Sequence, residues 1–318
     1  MRNLRDAVDQ YLTLRRSLGF KLCNTEWVLH RLLDFMEQEE ATHISVELVS
    51  RWLQQPNRAQ LSTWAARVGI VRRFATWHQP TDSRTEIPPP DLIPSRIHRK
   101  PPYIYTDEEV ERIVVAASGL PSRTGMRALS FSTLYGLIAV TGMRISEAVG
   151  LDREDVDLRQ GELTIRHAKF GKSRLVPLHA STRTVLSRYA ARRDRIMPRV
   201  DTEAFFISER GARVTRSNAQ GNFAKISQDI GLREPQADYL HGQGPRIHDL
   251  RHRFAVKTLI DWYRAGVDVE RQLPKLATYL GHTHINDTYW YIEAVPELLQ
   301  LATERLARAQ CDQAGVMP

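Results

Sequence analysis

The chain has 318 residues, 42% of them hydrophobic, and a formal net charge of +8 at pH 7. That length and apolar content suit two packed domains and exclude a disordered chain, while the excess of Lys and Arg suits a polyanionic partner, because each basic side chain that neutralises a phosphate releases a counterion. Cys23 and Cys311 stand far apart with no CxxC, which excludes a disulfide framework and offers no spacing for a metal; there is no apolar signal segment, and the most apolar run, residues 129–143, is too short and interrupted to span a bilayer, so a cytoplasmic protein is expected.

Residues 1–80 read as helices alone. Leu4, Val8, Tyr11 and Leu12 fall on one face, and Arg15, Arg16 and Lys21 make the far end basic. Asn24 or Thr25 offers an N-cap to a second helix aligned by Val28, Leu32, Phe35 and Met36. Ser45 caps a short third helix carrying Val49 and Trp52, and a fourth sets Trp64, Val68, Val71 and Ala75 on one stripe with Arg67, Arg72 and Arg73 around it. Outward arginines on a small bundle suit a DNA-gripping domain, the plainer reading being a solvated charged face. Residues 81–103, with six prolines, cannot continue a helix and read as an extended interdomain linker in which Arg96, Arg99 and Lys100 can track a phosphate backbone.

Residues 104–318 form the second predicted domain. Thr106 to Glu109 is a capping box that opens a helix carrying Val110, Ile113 and Val114. An apolar helix over 126–140 is broken by Thr141-Gly142, and a short helix then starts at Arg144 with Ile145, Ala148 and Val149 inward. Alternation through Leu163, Ile165 and His167, with a second strand over 174–178, predicts a β-hairpin with a basic tip around Lys169 and Lys172. Helices resume over 182–197 and 218–230, with a turn at Gly211 between them. After Tyr291, Pro296 suits the first turn of a final helix whose apolar side holds Leu298, Leu299, Leu301, Ala302 and Leu306.

The segment 246–291 concentrates the chemistry. His248 and Arg251 lie one helical turn apart, followed by Gly281-His282 and then Tyr291. Transfer of a phosphodiester passes through a crowded, highly charged transition state that fixed cations and hydrogen-bond donors can stabilise. Guanidinium groups suit it because they stay charged and can bind two non-bridging oxygens at once. Arg144, at a helix start, and Arg251 are the candidates, and Tyr291 can serve as a covalent nucleophile where cations and a base are near. Each of these residues alone would pass for a surface arginine, a structural histidine or a core aromatic.

Taken together, Arg144 and Glu147 in TGMRISE, Lys169 on the hairpin, His248 and Arg251 in HDLR, His282 in LGH, and Tyr291 nine residues beyond it resemble the pattern of the tyrosine recombinases, the phage-type integrase family. The resemblance implies a mainly α, two-domain DNA clamp: a helical core-binding domain over 1–80, a linker over 81–103 and a catalytic domain with a small β-sheet and a C-terminal helix over 104–318. It implies a site-specific recombinase, integrase or transposase in type, needing no cofactor, metal or ATP. Tyr291 would attack to form a 3′-phosphotyrosyl link and Arg144 and Arg251 would hold the phosphate. His248 and His282 would donate or relay protons, Lys169 would protonate the leaving 5′ oxygen, and Glu147 would orient the neighbouring arginine. The family usually reads GKG on the hairpin, where this chain has Ala168-Lys169-Phe170-Gly171-Lys172, so Lys172 is the alternative acid. The implied partners are double-stranded DNA with inverted-repeat half-sites and, on that DNA, a homotetramer linked by C-terminal segments. The free protein is expected to be largely monomeric and nucleoid-associated. A type IB topoisomerase and a catalytically idle DNA-binding protein are the rival readings.

Overall fold

The computed structural model describes residues 2–55, 61–94, 101–166, 173–234 and 244–314. The chain divides into two compact units, Met1–Lys100 and Pro101–Pro318. In the first, α1 (Arg2–Ser17), α2 (Cys23–Gln38), α3 (Val46–Gln54) and α4 (Leu61–His78) bury the predicted stripes against one another. Val8, Leu32, Met36, Val49 and Val71 are each at most 1% exposed. Ser45 caps α3 as read, accepting the Leu48 N–H at 3.1 Å. α2, however, starts at Cys23 rather than after Asn24 or Thr25. Leu22 turns the chain in a left-handed conformation, and its carbonyl accepts the first helical bond from Glu26, so no side-chain cap is used. The start of the proline-rich stretch packs onto this same unit: Glu86 donates its N–H to the Ile44 carbonyl at 2.8 Å, and its carboxylate accepts the Val46 N–H at 2.7 Å.

The second unit is built around α6 (Met126–Thr141), which is buried on nearly all sides, as expected of a helix without a polar face. Tyr135 on α6 donates its hydroxyl to the Ala219 carbonyl at 2.8 Å, so its polar end is satisfied in the core. Around it lie α5 (Asp107–Ser118), opened by the Thr106–Glu109 capping box, α7 (Ile145–Gly150), α8 (Ala180–Ile196) and α9 (Arg216–Asp229). Strands β1 (Val156–Asp157), β2 (Glu162–Ile165) and β3 (Arg174–Pro177) form an antiparallel sheet in that order, with Leu163 opposite Val176 and Ile165 opposite Arg174. β1 has only two residues, too few to show alternation in the sequence. The hairpin tip, with His167, Lys169 and Lys172, lies outside the described residues.

The last four helices are α10 (Ile247–Arg264), α11 (Val269–Leu280), α12 (Asn286–Ala294) and α13 (Pro296–Ala314). α10 joins two cores: Ile247 and Leu250 pack with the α6 cluster, whereas Ala255, Val256 and Leu259 pack with Leu273, Leu280, Tyr291 and Leu298. His248, Arg251 and His252 therefore sit at the seam between the clusters. α13 folds back on its own unit through the buried Leu298 and an Arg305 bond to the Val267 carbonyl at 2.6 Å. Its apolar side is only partly covered, with Leu299 54% and Leu306 63% exposed. No helix among the described residues is long and apolar enough to cross a membrane.

Candidate active site

The site is organised by the C-terminus of α11, whose last carbonyls have no helical partner and attract cations. Arg251, only 2% exposed, donates from Nη2 to the Leu280 carbonyl and from Nη1 to the Gly142 carbonyl, both at 2.7 Å. Arg144 donates from Nη2 to the Gly281 carbonyl at 2.8 Å and from Nη1 to the Leu280 carbonyl at 3.4 Å. Two arginines separated by more than a hundred positions thus converge on one helix end. Gly281 leaves room for Arg144 and for Arg174 beside it: it takes φ +69°, and a Cβ there would stand 2.8 Å from Arg174 Nη1 and 3.2 Å from Arg144 Nη1.

Glu147 is shared between two cations. Its carboxylate accepts from Arg144 Nη1 at 2.9 Å and from both Nη atoms of Arg174, at 3.0 and 2.7 Å, while also accepting the Arg144 N–H at 2.8 Å. Burial opposes the Glu147 charge, but the Arg174 and Arg144 bonds outweigh it and hold the carboxyl below its usual range. Arg174, at the base of β3, also donates Nε to the Tyr279 carbonyl at 2.7 Å, tying the hairpin to α11.

Tyr291 lies under this cluster, 1% exposed. Its hydroxyl is 3.0 Å from His252 Nδ1, and its ring is 6.2 Å from the His282 ring. Burial raises the Tyr291 pKa, while the positive charges of Arg251 and Arg144 pull the other way. His282 Nδ1 meets Thr288 Oγ1 at 2.7 Å. His248 keeps an exposed edge and its ring lies 4.7 Å from that of His252. Burial of its inner side, followed by the charges of Arg251, Arg246 and Arg144, lowers its pKa to about 4. Burial and the neighbouring cationic groups push His252 and His282 to about 3. All three imidazoles are therefore neutral at pH 7. A neutral imidazole can accept a proton, and the arginines present fixed positive charge.

The structure thus gathers Arg144, Glu147, His248, Arg251, His282 and Tyr291 in one place; Lys169 and Lys172 lie outside the described residues. Sequence reasoning passed over Arg174, Thr288 and His252. The only local signal was His252 itself, four residues after His248 and so on the same helix face. The residues expected to touch DNA from the first unit are more engaged than their charge suggests. Arg15 stacks over Phe20 at 4.3 Å and Arg67 over Trp27 at 5.4 Å. Arg16 pairs with Glu26 at 2.6 Å and Arg72 donates to the Pro88 carbonyl at 2.8 Å. Lys21 and Arg73 are exposed, and Arg96, Arg99 and Lys100 lie outside the described residues.

A helical unit with a small antiparallel sheet and an arginine–histidine–tyrosine cluster defines the class of the DNA strand-transfer enzymes that use tyrosine, and residues 104–297 match the phage integrase family. The chain belongs to that family. It is 44% identical to the candidate integrase/recombinase y4rB of Sinorhizobium fredii (strain NBRC 101917 / NGR234), over 97% of this chain and 98% of that protein. It is 27% identical to the tyrosine recombinase XerD of Neisseria meningitidis serogroup B (strain ATCC BAA-335 / MC58), over 76% of this chain and 75% of that protein. Among solved structures, the fold resembles the Tn1549 transposon integrase in complex with transposon right end DNA, with a TM-score of 0.63 and 17% identity, covering 95% of this chain and 99% of that one.

Proposed function

We propose that this site-specific recombinase cleaves and rejoins DNA with Tyr291 as its nucleophile. The observation that carries the assignment is the convergence of Arg144 and Arg251 on the α11 terminus above the Tyr291 hydroxyl. In this reading Tyr291 Oη attacks the scissile phosphorus and leaves a 3′-phosphotyrosyl link. Arg144 and Arg251 hold the non-bridging oxygens, with Glu147 fixing the Arg144 fork. His248 and His282 supply or relay protons from the open side, and Lys169, or Lys172 in its place, protonates the departing 5′ oxygen. A phosphotyrosyl bond is close in energy to the phosphodiester it replaces, so rejoining needs no ATP.

We further propose that the partner is double-stranded DNA carrying inverted-repeat half-sites, bound by four copies at the nucleoid. The apolar side chains that α13 leaves exposed, Leu299 and Leu306, suit docking on a neighbouring copy. Recombination is favoured over simple topoisomerase or idle binding by the family match and by the cluster of Arg144, His248, Arg251, His282 and Tyr291. The test is suicide trapping on nicked duplexes in EDTA-containing buffer. Wild type should give a denaturant-resistant adduct, and Tyr291→Phe should bind the same DNA and give none. An adduct that persists in Tyr291→Phe removes Tyr291 from the role and makes Tyr289 the next candidate.

A further inference from the structure

Five titratable side chains, Tyr291, His248, His252, His282 and Asp249, crowd the seam of the second unit, and the roles above leave His252 and Asp249 without a task. Yet His252 touches the reacting atom, with Nδ1 3.0 Å from Tyr291 Oη. Its other ring nitrogen, Nε2, faces Asp249 Oδ1 at 3.9 Å. Asp249 is 2% exposed, and its Oδ1 has no hydrogen-bond partner, although the Arg246 guanidinium stands 3.5 Å away. Its Oδ2 accepts the Arg246 N–H at 2.7 Å, which pins the carboxylate at the first turn of α10.

These contacts fix the chemistry of the imidazole. A carboxylate oxygen lacking a donor favours the tautomer that carries its proton on Nε2, because that N–H points to it. The remaining lone pair is then on Nδ1, so the Tyr291 hydroxyl donates to His252. The separation of Nε2 and Oδ1 closes to a hydrogen bond with a shift of about 1 Å, which a positive ring would drive. His248 and His282 have no such bond to the hydroxyl: His282 spends Nδ1 on Thr288.

We propose that His252, oriented by Asp249, is the base that takes the Tyr291 proton during DNA cleavage. As Oη bonds to phosphorus, its proton passes to His252 Nδ1. The electron pair of the breaking phosphorus–oxygen bond leaves on the 5′ oxygen, which is protonated by the acid assigned above. On rejoining, the 5′ hydroxyl attacks and gives its proton back to that same acid, the phosphotyrosyl bond breaks and the proton on Nδ1 returns to Oη. Asp249 acts through His252 and is a positioning residue.

The inference rests on Tyr291 being the nucleophile, so both are tested in one trapping assay on nicked half-site DNA, with half-site binding as the check on folding. His252→Asn keeps a polar group near Oη but cannot take up the proton. Its adduct should form about a hundredfold more slowly or worse, and Asp249→Asn should show a smaller loss. In His252→Ala, added imidazole should restore adduct formation in proportion to its free-base concentration, a response that a packing defect would not give. His252→Asn trapping within threefold of wild type, while Tyr291→Phe gives no adduct, overturns the inference and leaves the nucleophile in place. Loss in His252→Asn without imidazole rescue of His252→Ala also overturns it, since the side chain then only shapes the site. An adduct in Tyr291→Phe overturns the function assigned to Tyr291 and this inference with it.

Discussion

Gly281 offers the sharpest test of how the arginines are held. Alanine at this position meets two separable penalties. The first is conformational: a non-glycine residue at φ +69° costs about 1–2 kcal/mol. The second is spatial, because the new Cβ would lie 2.8 Å from Arg174 Nη1, 3.1 Å from its Cζ and 3.2 Å from Arg144 Nη1, so both guanidiniums must move. Gly266 supplies the control. It has the same φ of +69° with nothing within 4 Å of its Cβ position, so Gly266→Ala meets the first penalty alone. Denaturant unfolding should show Gly266→Ala destabilised by about 1–2 kcal/mol and Gly281→Ala by at least as much. Adduct trapping should then separate them: Gly266→Ala cleaves normally, whereas Gly281→Ala loses about a hundredfold or more because Arg144 is displaced from the transition-state charge. Gly281→Asn, which tolerates the left-handed backbone but keeps the Cβ, should regain stability without regaining cleavage. If Gly281→Ala cleaves at the Gly266→Ala rate, the close contact with Arg144 does not govern the site and the reasoning fails.

Arg251→Lys should lower adduct formation by about a hundredfold or more and also destabilise the fold by about 1–3 kcal/mol, because one ammonium cannot reach both the Gly142 and Leu280 carbonyls; unchanged unfolding would contradict that bracing role. Stability should fall as pH drops below about 6.5, the free histidine value. His252 and His282 are held near 3, so across that window the unfolded chain binds protons that the folded one refuses. Glu147 adds a further loss at lower pH, since its depressed pKa stabilises the fold only above the ordinary carboxylate range. A thermal midpoint that stays level from pH 7 to pH 5 would refute the histidine part. Replacing Leu299 and Leu306 together by Ser should leave the midpoint and single half-site binding unchanged while cooperative binding to paired half-sites is lost; cooperativity that survives would place the contact between copies elsewhere.

Much of this was legible in the sequence wherever a residue's environment is set by its near neighbours. The stripe from Leu4 to Leu12, the Ser45 cap and the Thr106–Glu109 box are local patterns and fold as read. What stayed hidden depends on distant partners. Arg251 read as a cation for the phosphate beside His248, yet it is buried against carbonyls contributed by Gly142 and Leu280. Arg174 read only as the start of the second hairpin strand, and its pairing with Glu147 crosses 27 positions. His252 gained its meaning from a tyrosine 39 residues away, a contact that no helical periodicity encodes. The start of α2 was missed because a left-handed leucine at position 22 carries no compositional cue.

The sharing of Glu147 has a consequence for how DNA affinity responds to salt. One carboxylate faces Arg144 and Arg174, while the hydrogen bonds of the adjacent Arg251 go to uncharged carbonyls. The cluster is therefore electrically incomplete by itself, and under the proposed function a scissile phosphate would complete it. Contacts made by exposed side chains such as Lys21 and Arg73 should weaken steeply as counterions compete. Neutralisation beside a buried guanidinium is screened far less. Binding should thus divide into a salt-sensitive grip on the flanking duplex and a salt-resistant remainder centred on one phosphate, and that remainder should follow Arg251 rather than the total charge of the chain.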